Sequence, residues 1–209
     1  MLRVNALLAA VLFAAGAGAS LAQSVGITDT LTEARFAMNG REFVITRNQD
    51  TSATLTGEFA RTSRQCPPFC VQPMRIARGV STIGELELIE FLQTQVSAGT
   101  GLLIDARVPE FYSQGWIPGA VNVPFTTLNA DNPYRDDILK ALGAVDIGGT
   151  LDFTNALSLI VYCNGPWCQQ APIAIQTLLD AGYPPELINY YRGGMQDWLI
   201  LGFNTENNG

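Results

Sequence analysis

The spacing of apolar and polar residues changes near residue 80 and divides the chain into two regions. In the first region, residues 32–61 alternate with a period of two, and Asn39-Gly40 is a pair suited to a type I′ hairpin turn. A break at 47–50 precedes another alternating run at 53–59. The pattern predicts a small N-terminal antiparallel β meander of three short strands. Three short strands bury little surface on their own, and we therefore expect the meander to pack on another element.

After residue 80, amphipathic helical segments alternate with short apolar runs. Strands are predicted at 102–105, 120–123, 157–162 and 187–191, and helices at about 83–96, 134–142, 172–181 and 195–201, with a helical turn near Pro109. This alternation predicts an α/β fold, a parallel sheet with helices on both faces. Reactive groups in such sheets lie just beyond the carboxyl ends of the strands.

The first residues are typical of a secretory signal peptide. Arg3 precedes an apolar run at Ala6–Ala15, and small residues follow up to Ser20-Leu21-Ala22, which favours cleavage after Ala22. An uncleaved membrane anchor is the alternative, but the run is short for a bilayer span. The pattern predicts a periplasmic or secreted protein that is free of the membrane once the signal is cleaved.

Three segments follow from these patterns. Residues 1–22 are the signal peptide, 23–79 carry the β meander and the Cys66/Cys70 loop, and 80–205 form the α/β domain. Export places all four cysteines in an oxidising compartment, where disulfides are stable.

Composition and charge exclude several classes of function. The chain has no histidine, which excludes catalytic pairs that use an imidazole and metal sites that use histidine ligands. Its 12 basic and 19 acidic residues give a net charge of −7, so nucleic acid is an unfavourable partner. No motif predicts a cofactor. The chemistry must depend on thiols, carboxylates, hydroxyls, arginines or backbone amides.

The strongest chemical signal is the segment 159–172. A buried strand ends at Cys163, a loop containing glycine follows, and a helix begins with Pro172 near its first turn. Unpaired amides of such a loop, together with the helix dipole, favour a thiolate and lower the thiol pKa from about 8.5. Cys163 is therefore the predicted catalytic nucleophile. The predicted anion-binding loop consists of Asn164, Gly165, Pro166, Trp167, Cys168 and Gln169.

The other cysteines leave alternatives open. Cys168 is either a resolving thiol that condenses with an oxidised or persulfidated Cys163, or a small apolar residue packed under the helix. Cys66 and Cys70 predict a structural disulfide, and the alternatives are a redox partner for Cys163 or a zinc site built from all four cysteines. The spacing is unusual for zinc, so no metal site is predicted.

Three motifs in the second region resemble those of rhodanese-like domains. Residues 103–107 with Glu110-Phe111, followed by 115–124, are similar to the first signature of that family. Cys163 falls where the family has its active-site cysteine, and 191–198 resembles its closing Gly-Gly-x-x-x-Trp segment. Together they cover about residues 80 to 203 in the family's order.

The resemblance implies a rhodanese-like parallel sheet and sulfur transfer through a Cys163 persulfide. The implied partners are a small sulfur donor, thiosulfate or a persulfide, and an acceptor thiol on a small molecule or a protein. Asp105 and Arg107 would brace the loop as an ion pair. The alternatives are a catalytically silent rhodanese-fold binding module and a redox protein that uses the Cys163/Cys168 pair.

The sequence departs from the family in its polar residues. Trp116 stands where the family often has histidine, and residues 163–170 contain no Arg or Lys. The neutral loop weakens recognition of a dianion such as thiosulfate, and it fits a persulfide donor or a protein thiol at least as well. Gln169 stands where related phosphatases have arginine, which argues against phosphate-ester chemistry.

Overall fold

A computed structural model describes residues 24–207 of the chain. The predicted signal peptide lies outside these residues. Among the described residues, the helices are all too short or too polar to cross a membrane.

The N-terminal strands form a two-stranded hairpin. Strands β1 (Ala34–Met38) and β2 (Arg41–Ile45) pair antiparallel, and the Phe36 and Phe43 rings stack with centroids 4.9 Å apart. The turn places Asn39 and Gly40 at positive φ, as the Asn-Gly pair predicts. The hairpin buries its apolar face in the main core.

The predicted third strand of the meander is wrong. Residues 53–59 form no strand: the first four are irregular, and the rest belong to a 3₁₀ turn at Gly57–Ala60. The C-terminal segment takes the position beside the hairpin, because the Asn204 amide donates to the Thr46 carbonyl at 3.0 Å and Arg47 forms a β-bridge with Phe203.

Five parallel strands form the central sheet, in the spatial order β3-β9-β8-β4-β5. In chain order the remaining strands are β3 (Ser81–Ile83), β4 (Gly101–Asp105), β5 (Val121–Asn122), β6 (Val145–Ile147), β7 (Thr150–Asp152), β8 (Ser158–Tyr162) and β9 (Ile188–Tyr191). Four of the five sheet strands lie where the apolar runs predict them. The fifth, β3, falls where the sequence predicts the start of a helix.

The sheet is covered by helices on both faces. The helices are α1 (Glu85–Phe91, continued by a π-turn at Leu92–Val96), α2 (Pro109–Tyr112), α3 (Arg135–Ala141), α4 (Gln170–Asp180) and α5 (Gly194–Ile200). Strand β8 alternates between the two cores: Leu159 and Val161 pack with α3 and α4, whereas Ile160 and Tyr162 pack with α1 and α5. This arrangement confirms the α/β prediction, and it places the end of β8 at the centre of the molecule.

The hairpin β6–β7 is an element that the sequence analysis did not predict. It turns at Gly148 and Gly149, both at positive φ, and exposes Val145 and Ile147. Its strands have only three residues and lack a buried face, so their side chains show no clear alternation.

Candidate active site

Cys163 lies directly after β8, at the carboxyl edge of the sheet. The loop 163–169 leads from the strand into α4, and its backbone is fixed on the start of α5. The Met195 amide donates to the Cys163 carbonyl at 3.0 Å, and the Gln196 amide donates to the Asn164 carbonyl at 2.9 Å. Two consecutive residues at the start of α5 thus hold the loop in place.

Gly194 allows this close approach. It lies at φ +54°, and a Cβ added there would be 2.2 Å from the Cys163 carbonyl oxygen. Any side chain at this position would push α5 away from the loop. This requirement explains the glycine pair at 193–194, which the sequence analysis noted only as part of a motif.

Cys163 and Cys168 are free thiols in contact with each other. Only 1% of Cys163 and 5% of Cys168 is exposed. The Cys163 Sγ donates to the Cys168 carbonyl at 3.3 Å, and each thiol shifts the pKa of the other. The loop therefore presents two neighbouring thiols: the predicted nucleophile Cys163, and Cys168, for which the sequence leaves open a resolving thiol or a packed residue.

Backbone amides face both sulfurs. The N–H groups of Gly165 and Ala171 are directed at Cys163, and those of Asn164 and Gln170 are directed at Cys168. Two of these amides belong to the predicted loop, and two belong to the first turn of α4, which the sequence analysis did not single out.

The two thiols have opposite pKa shifts. Burial raises the pKa of Cys163 well above its usual value, and the neighbouring Cys168 raises it further. The pKa of Cys168 is lowered, mainly because its thiolate accepts a hydrogen bond from the Cys163 thiol, an effect larger than that of burial. The expectation of a lowered pKa at Cys163 is therefore wrong. The amides are shared between the two sulfurs, and the shifts favour ionisation of Cys168 over that of Cys163.

Asp105 and Arg107 form a buried ion pair beneath the loop. Both side chains are almost fully buried, and the Arg107 Nη2 lies 2.6 Å from the Asp105 Oδ2. The guanidinium also donates to the Gly115 carbonyl at 2.7 Å and to the Asn164 Oδ1 at 3.4 Å. Burial by itself lowers the pKa of Arg107, but the hydrogen bonds and attraction from Asp105 raise it overall. Through Asn164 the pair contacts the residue next to Cys163.

Residues 57–72, here named the cover segment, lie across the outer side of the loop. The Gln72 amide donates to the Pro166 carbonyl at 2.7 Å, and the Phe69 ring meets the Trp167 ring edge to face at 5.7 Å. Within this segment Cys66 and Cys70 are joined by a disulfide, with their Cα atoms 4.6 Å apart. The sulfurs of a bonded pair cannot bind zinc as thiolates while the bond is intact.

Arg64 of the cover segment stacks on the loop. Its guanidinium carbon lies 3.6 Å from the centre of the Trp167 ring, and only 5% of its side chain is exposed. Two of its nitrogens contact Glu58. Its Nε is buried and has no hydrogen-bond partner within residues 24–207.

A cavity of about 40 Å³ lies between the cover segment and the loop. It is lined by Glu58, Phe59, Arg64, Phe69, Arg107, Phe111, Gln114, Asn164 and Trp167. Four of these residues belong to the cover segment. The sequence analysis missed them because each is about a hundred positions from Cys163 and carries no local motif.

Other predicted positions have structural or peripheral roles. Gln169 is exposed and precedes α4. Trp116, at the family's frequent histidine position, stacks on Tyr112 and donates to Glu206 at 3.3 Å. Trp198 is fully buried against Phe203, so it is a core residue.

The known proteins similar to this chain include a regulator, a protein of known structure and a sulfurtransferase. A helix-turn-helix-type transcriptional regulator from Mycobacterium tuberculosis is 31% identical over 109 residues, which cover 52% of this chain and 39% of the regulator. A Bacillus halodurans protein of known structure has a TM-score of 0.46 at 21% identity. The match covers 60% of this chain and 76% of the Bacillus halodurans chain. A Pseudomonas aeruginosa thiosulfate sulfurtransferase has a TM-score of 0.42 at 22% identity. The match covers 63% of this chain and 21% of the sulfurtransferase chain.

The assignment to a family rests on a profile match. The profile of the rhodanese-like domain matches residues 88–201, which is more than half of the chain and includes both thiols and the Asp105–Arg107 pair. The cover segment and the N-terminal hairpin lie outside the match. The chain therefore belongs to the rhodanese-like domain family.

Proposed function

We propose that the protein is a sulfurtransferase that carries sulfane sulfur on Cys163 as a persulfide. It takes the sulfur from a small donor, thiosulfate or a persulfide, and passes it to a thiol acceptor on a small molecule or a protein. The observation that carries this proposal is the thiol pair at the end of β8, in contact with four backbone amides and without histidine.

The pair supplies the base that the chain otherwise lacks. The Cys168 thiolate takes the proton of the Cys163 thiol, which turns Cys163 into the thiolate nucleophile and Cys168 into a neutral thiol. Amides of Gly165 and Ala171 then stabilise the charge on Cys163. This transfer is uphill at rest, because burial holds Cys163 neutral, and it is completed as the sulfur attacks the donor, with Cys168 acting as the general base.

Sulfur transfer then proceeds in two displacements. The Cys163 thiolate attacks the sulfane sulfur of thiosulfate, the sulfur–sulfur bond of the donor breaks, and sulfite leaves with the bonding electrons. An acceptor thiolate next attacks the outer sulfur of the persulfide and removes it, which restores the Cys163 thiolate. The sequence of steps consumes no oxidant or reductant.

Intact-mass spectrometry tests the proposal directly. After incubation with thiosulfate or, separately, with a low-molecular-weight persulfide, we expect the purified protein to gain the mass of one sulfur atom. The gain should disappear when an acceptor thiol is added, and it should be absent from Cys163→Ser. A gain that persists in Cys163→Ser, or no gain from either donor, would contradict the proposal.

A catalytically silent binding module is the second candidate, because almost all of the Cys163 surface is buried. In that case the thiols pack the core and the cover segment stays closed. Alkylation discriminates between the two candidates: iodoacetamide at neutral pH should modify the thiol pair during incubation with donor if the site opens for sulfur transfer. Thiols that remain unmodified under all these conditions would favour the silent module.

The contact between the two thiols also supports oxidation to a Cys163–Cys168 disulfide. A mild oxidant should remove two hydrogen atoms from the protein and form this bond, because both thiols are free, lie on one loop and belong to residues in contact. We expect the mass loss in the wild type and not in Cys168→Ser, while the Cys66–Cys70 disulfide is unchanged in both. Peptide mapping after digestion without reduction identifies the pairing, and a wild type that resists oxidation would contradict this prediction.

We also propose that the protein acts in the periplasm or as a secreted protein. The apolar pattern of residues 1–22 supports export, and the Cys66–Cys70 disulfide is suited to an oxidising compartment.

A further inference from the structure

We propose that five exposed side chains, here named the docking patch, bind an acidic and partly apolar segment of the protein that carries the acceptor thiol. The patch consists of Phe69, Val71, Met74, Arg75 and Arg78. The identity of the partner as the sulfur acceptor rests on the proposed function, whereas binding of an acidic segment follows from the surface itself. The inference assigns the acceptor thiol to a protein, where the proposed function leaves a small molecule or a protein.

Three large apolar side chains of the patch are exposed. The exposed fraction is 38% for Phe69, 79% for Val71 and 63% for Met74, and all three lie within residues 69–74. Clustered exposed apolar side chains mark interaction sites, and aromatic residues, methionine and arginine are enriched in protein interfaces. The cluster is therefore suited to contact with apolar side chains of a partner.

The fold does not use the two arginines of the patch. Within residues 24–207, every other arginine donates to a carboxylate or to a backbone carbonyl. Within the same residues, the side chains of Arg75 and Arg78 are exposed and make no such contact. Two guanidinium groups without a counter-charge are thus available to the carboxylates of a partner.

The local charge around the patch is opposite to that of the whole chain. Residues 59–84 contain four arginines and no aspartate or glutamate, whereas the net charge of the chain is −7. Since exposed charges are screened beyond about 8 Å at physiological salt, a short bound segment senses mainly the local positive charge. A broad anionic surface such as a membrane would also meet the acidic remainder of the chain, and a second copy has the same net negative charge. The charges therefore favour an acidic segment as the occupant.

The patch adjoins the loop that carries the thiols. Gln72 lies between the apolar residues of the patch, and its amide donates to the Pro166 carbonyl at 2.7 Å. Its own carbonyl accepts from the Arg192 Nε at 3.0 Å. The Phe69 ring also meets the Trp167 ring edge to face at 5.7 Å. A segment bound to the patch therefore brings its cysteine to the edge of the reacting loop.

Peptide binding tests the patch without sulfur transfer. The probe is a fluorescein-labelled peptide in which glutamate alternates with leucine, and the matched peptide has glutamine in place of each glutamate. We would measure the fluorescence anisotropy of both with the purified protein. At low salt the acidic peptide should bind about 5- to 30-fold more tightly, the upper part of the range for two exposed ion pairs, and this advantage should shrink as salt is added.

Two double variants of the patch separate its charged and apolar parts. Arg75→Ser with Arg78→Ser should weaken binding of the acidic peptide by about 5- to 30-fold and reduce its salt dependence, because two ion pairs are lost. Val71→Ser with Met74→Ser should weaken binding by about 10-fold or more at every salt concentration, because apolar contact is lost.

Each double variant has a matched control on another surface. Arg35→Ser with Lys140→Ser removes the same charge from two exposed positions outside the patch. Val145→Ser with Ile147→Ser removes exposed apolar side chains from the β6–β7 hairpin. Both controls should bind the acidic peptide within about twofold of the wild type. Equal affinities of the patch variants and their controls, or no binding of the acidic peptide to the wild type, would overturn the inference.

Other occupants of the patch are outcomes of two further measurements. Sedimentation velocity would detect a dimer of the wild type, and loss of that dimer in Arg75→Ser with Arg78→Ser would assign the patch to a second copy. Cosedimentation with phosphatidylglycerol vesicles would detect membrane binding, and its loss in the same variant would assign the patch to a lipid surface. Either result would overturn the inference.

The outcome is separable from that of the proposed function. If the wild type gains sulfur and passes it to a small thiol, but peptide binding does not depend on the patch, the sulfurtransferase proposal stands and the docking patch fails. If binding depends on the patch but no sulfur is gained, the patch stands and the sulfurtransferase proposal fails. If both stand, an acidic peptide with one cysteine should remove the sulfur faster than its glutamine counterpart, and equal rates would overturn the assignment of the acceptor.

Discussion

Replacing Cys168 with serine should slow persulfide formation on Cys163 by about 10²- to 10⁴-fold at neutral pH, the usual contribution of a positioned base. Burial raises the pKa of Cys163, so the thiol stays protonated unless a neighbour takes its proton. Serine keeps nearly the same size, but its hydroxyl is not ionised at this pH. The measurement is the rate at which the intact protein gains one sulfur in a single turnover.

The pH dependence of the same variant provides a second readout. In the wild type, persulfide formation should increase with pH as Cys168 loses its proton, and the pKa of Cys168 is lowered. In Cys168→Ser the increase should occur at higher pH, since only direct ionisation of the buried Cys163 remains. The acid limb of the profile therefore moves toward alkaline pH.

The single-turnover design separates a base from a redox partner. A resolving thiol acts after the persulfide has formed, so its removal would leave the first sulfur gain unchanged and affect only later turnovers. A base acts before the first gain. An unaltered rate and an unaltered pH profile in Cys168→Ser would assign Cys168 to packing alone.

Most of the sheet was predictable from the sequence, because its strands are buried on both faces. Leu102–Asp105 and Leu157–Tyr162 form continuous apolar runs, and the observed strands agree with them within one residue. The short edge strand β3 and the hairpin β6–β7 lack such runs. Residues 53–59 have the alternation of a strand but form none, because no neighbouring strand pairs with them. Alternation alone does not specify a pairing partner.

The candidate site was predictable only in part, for a similar reason. Cys163, Cys168, Asp105 and Arg107 lie at or after the ends of the paired strands β4 and β8, where residues far apart in the sequence come close together. Which of the two thiols has the lower pKa depends on which amides face which sulfur. The conformation of the loop decides this, and the sequence does not show it. Arg64 reaches the loop by tertiary packing, and no spacing along the chain encodes that contact.

Replacing Arg107 with methionine should lower the free energy of unfolding by about 3–5 kcal/mol, because it leaves a buried carboxylate without its counter-charge. Asp105 has no exposed surface, and three of its hydrogen bonds come from the Arg107 guanidinium. The loop also loses the contact from Arg107 to Asn164, so sulfur transfer should fall even under conditions where the variant is folded. Urea denaturation followed by circular dichroism measures the change.

Two further variants make the origin of this loss clear. In the double variant Asp105→Asn and Arg107→Met, the unpaired charge is gone, so part of the stability should return. Arg35→Met removes an arginine from an exposed pair with Glu33 and should cost less than about 1 kcal/mol. If the double variant were as unstable as the sum of the two single variants, desolvation of the lone carboxylate would not be the cause. The pair would then stabilise the fold through packing, and its role beneath the loop would not depend on its charges.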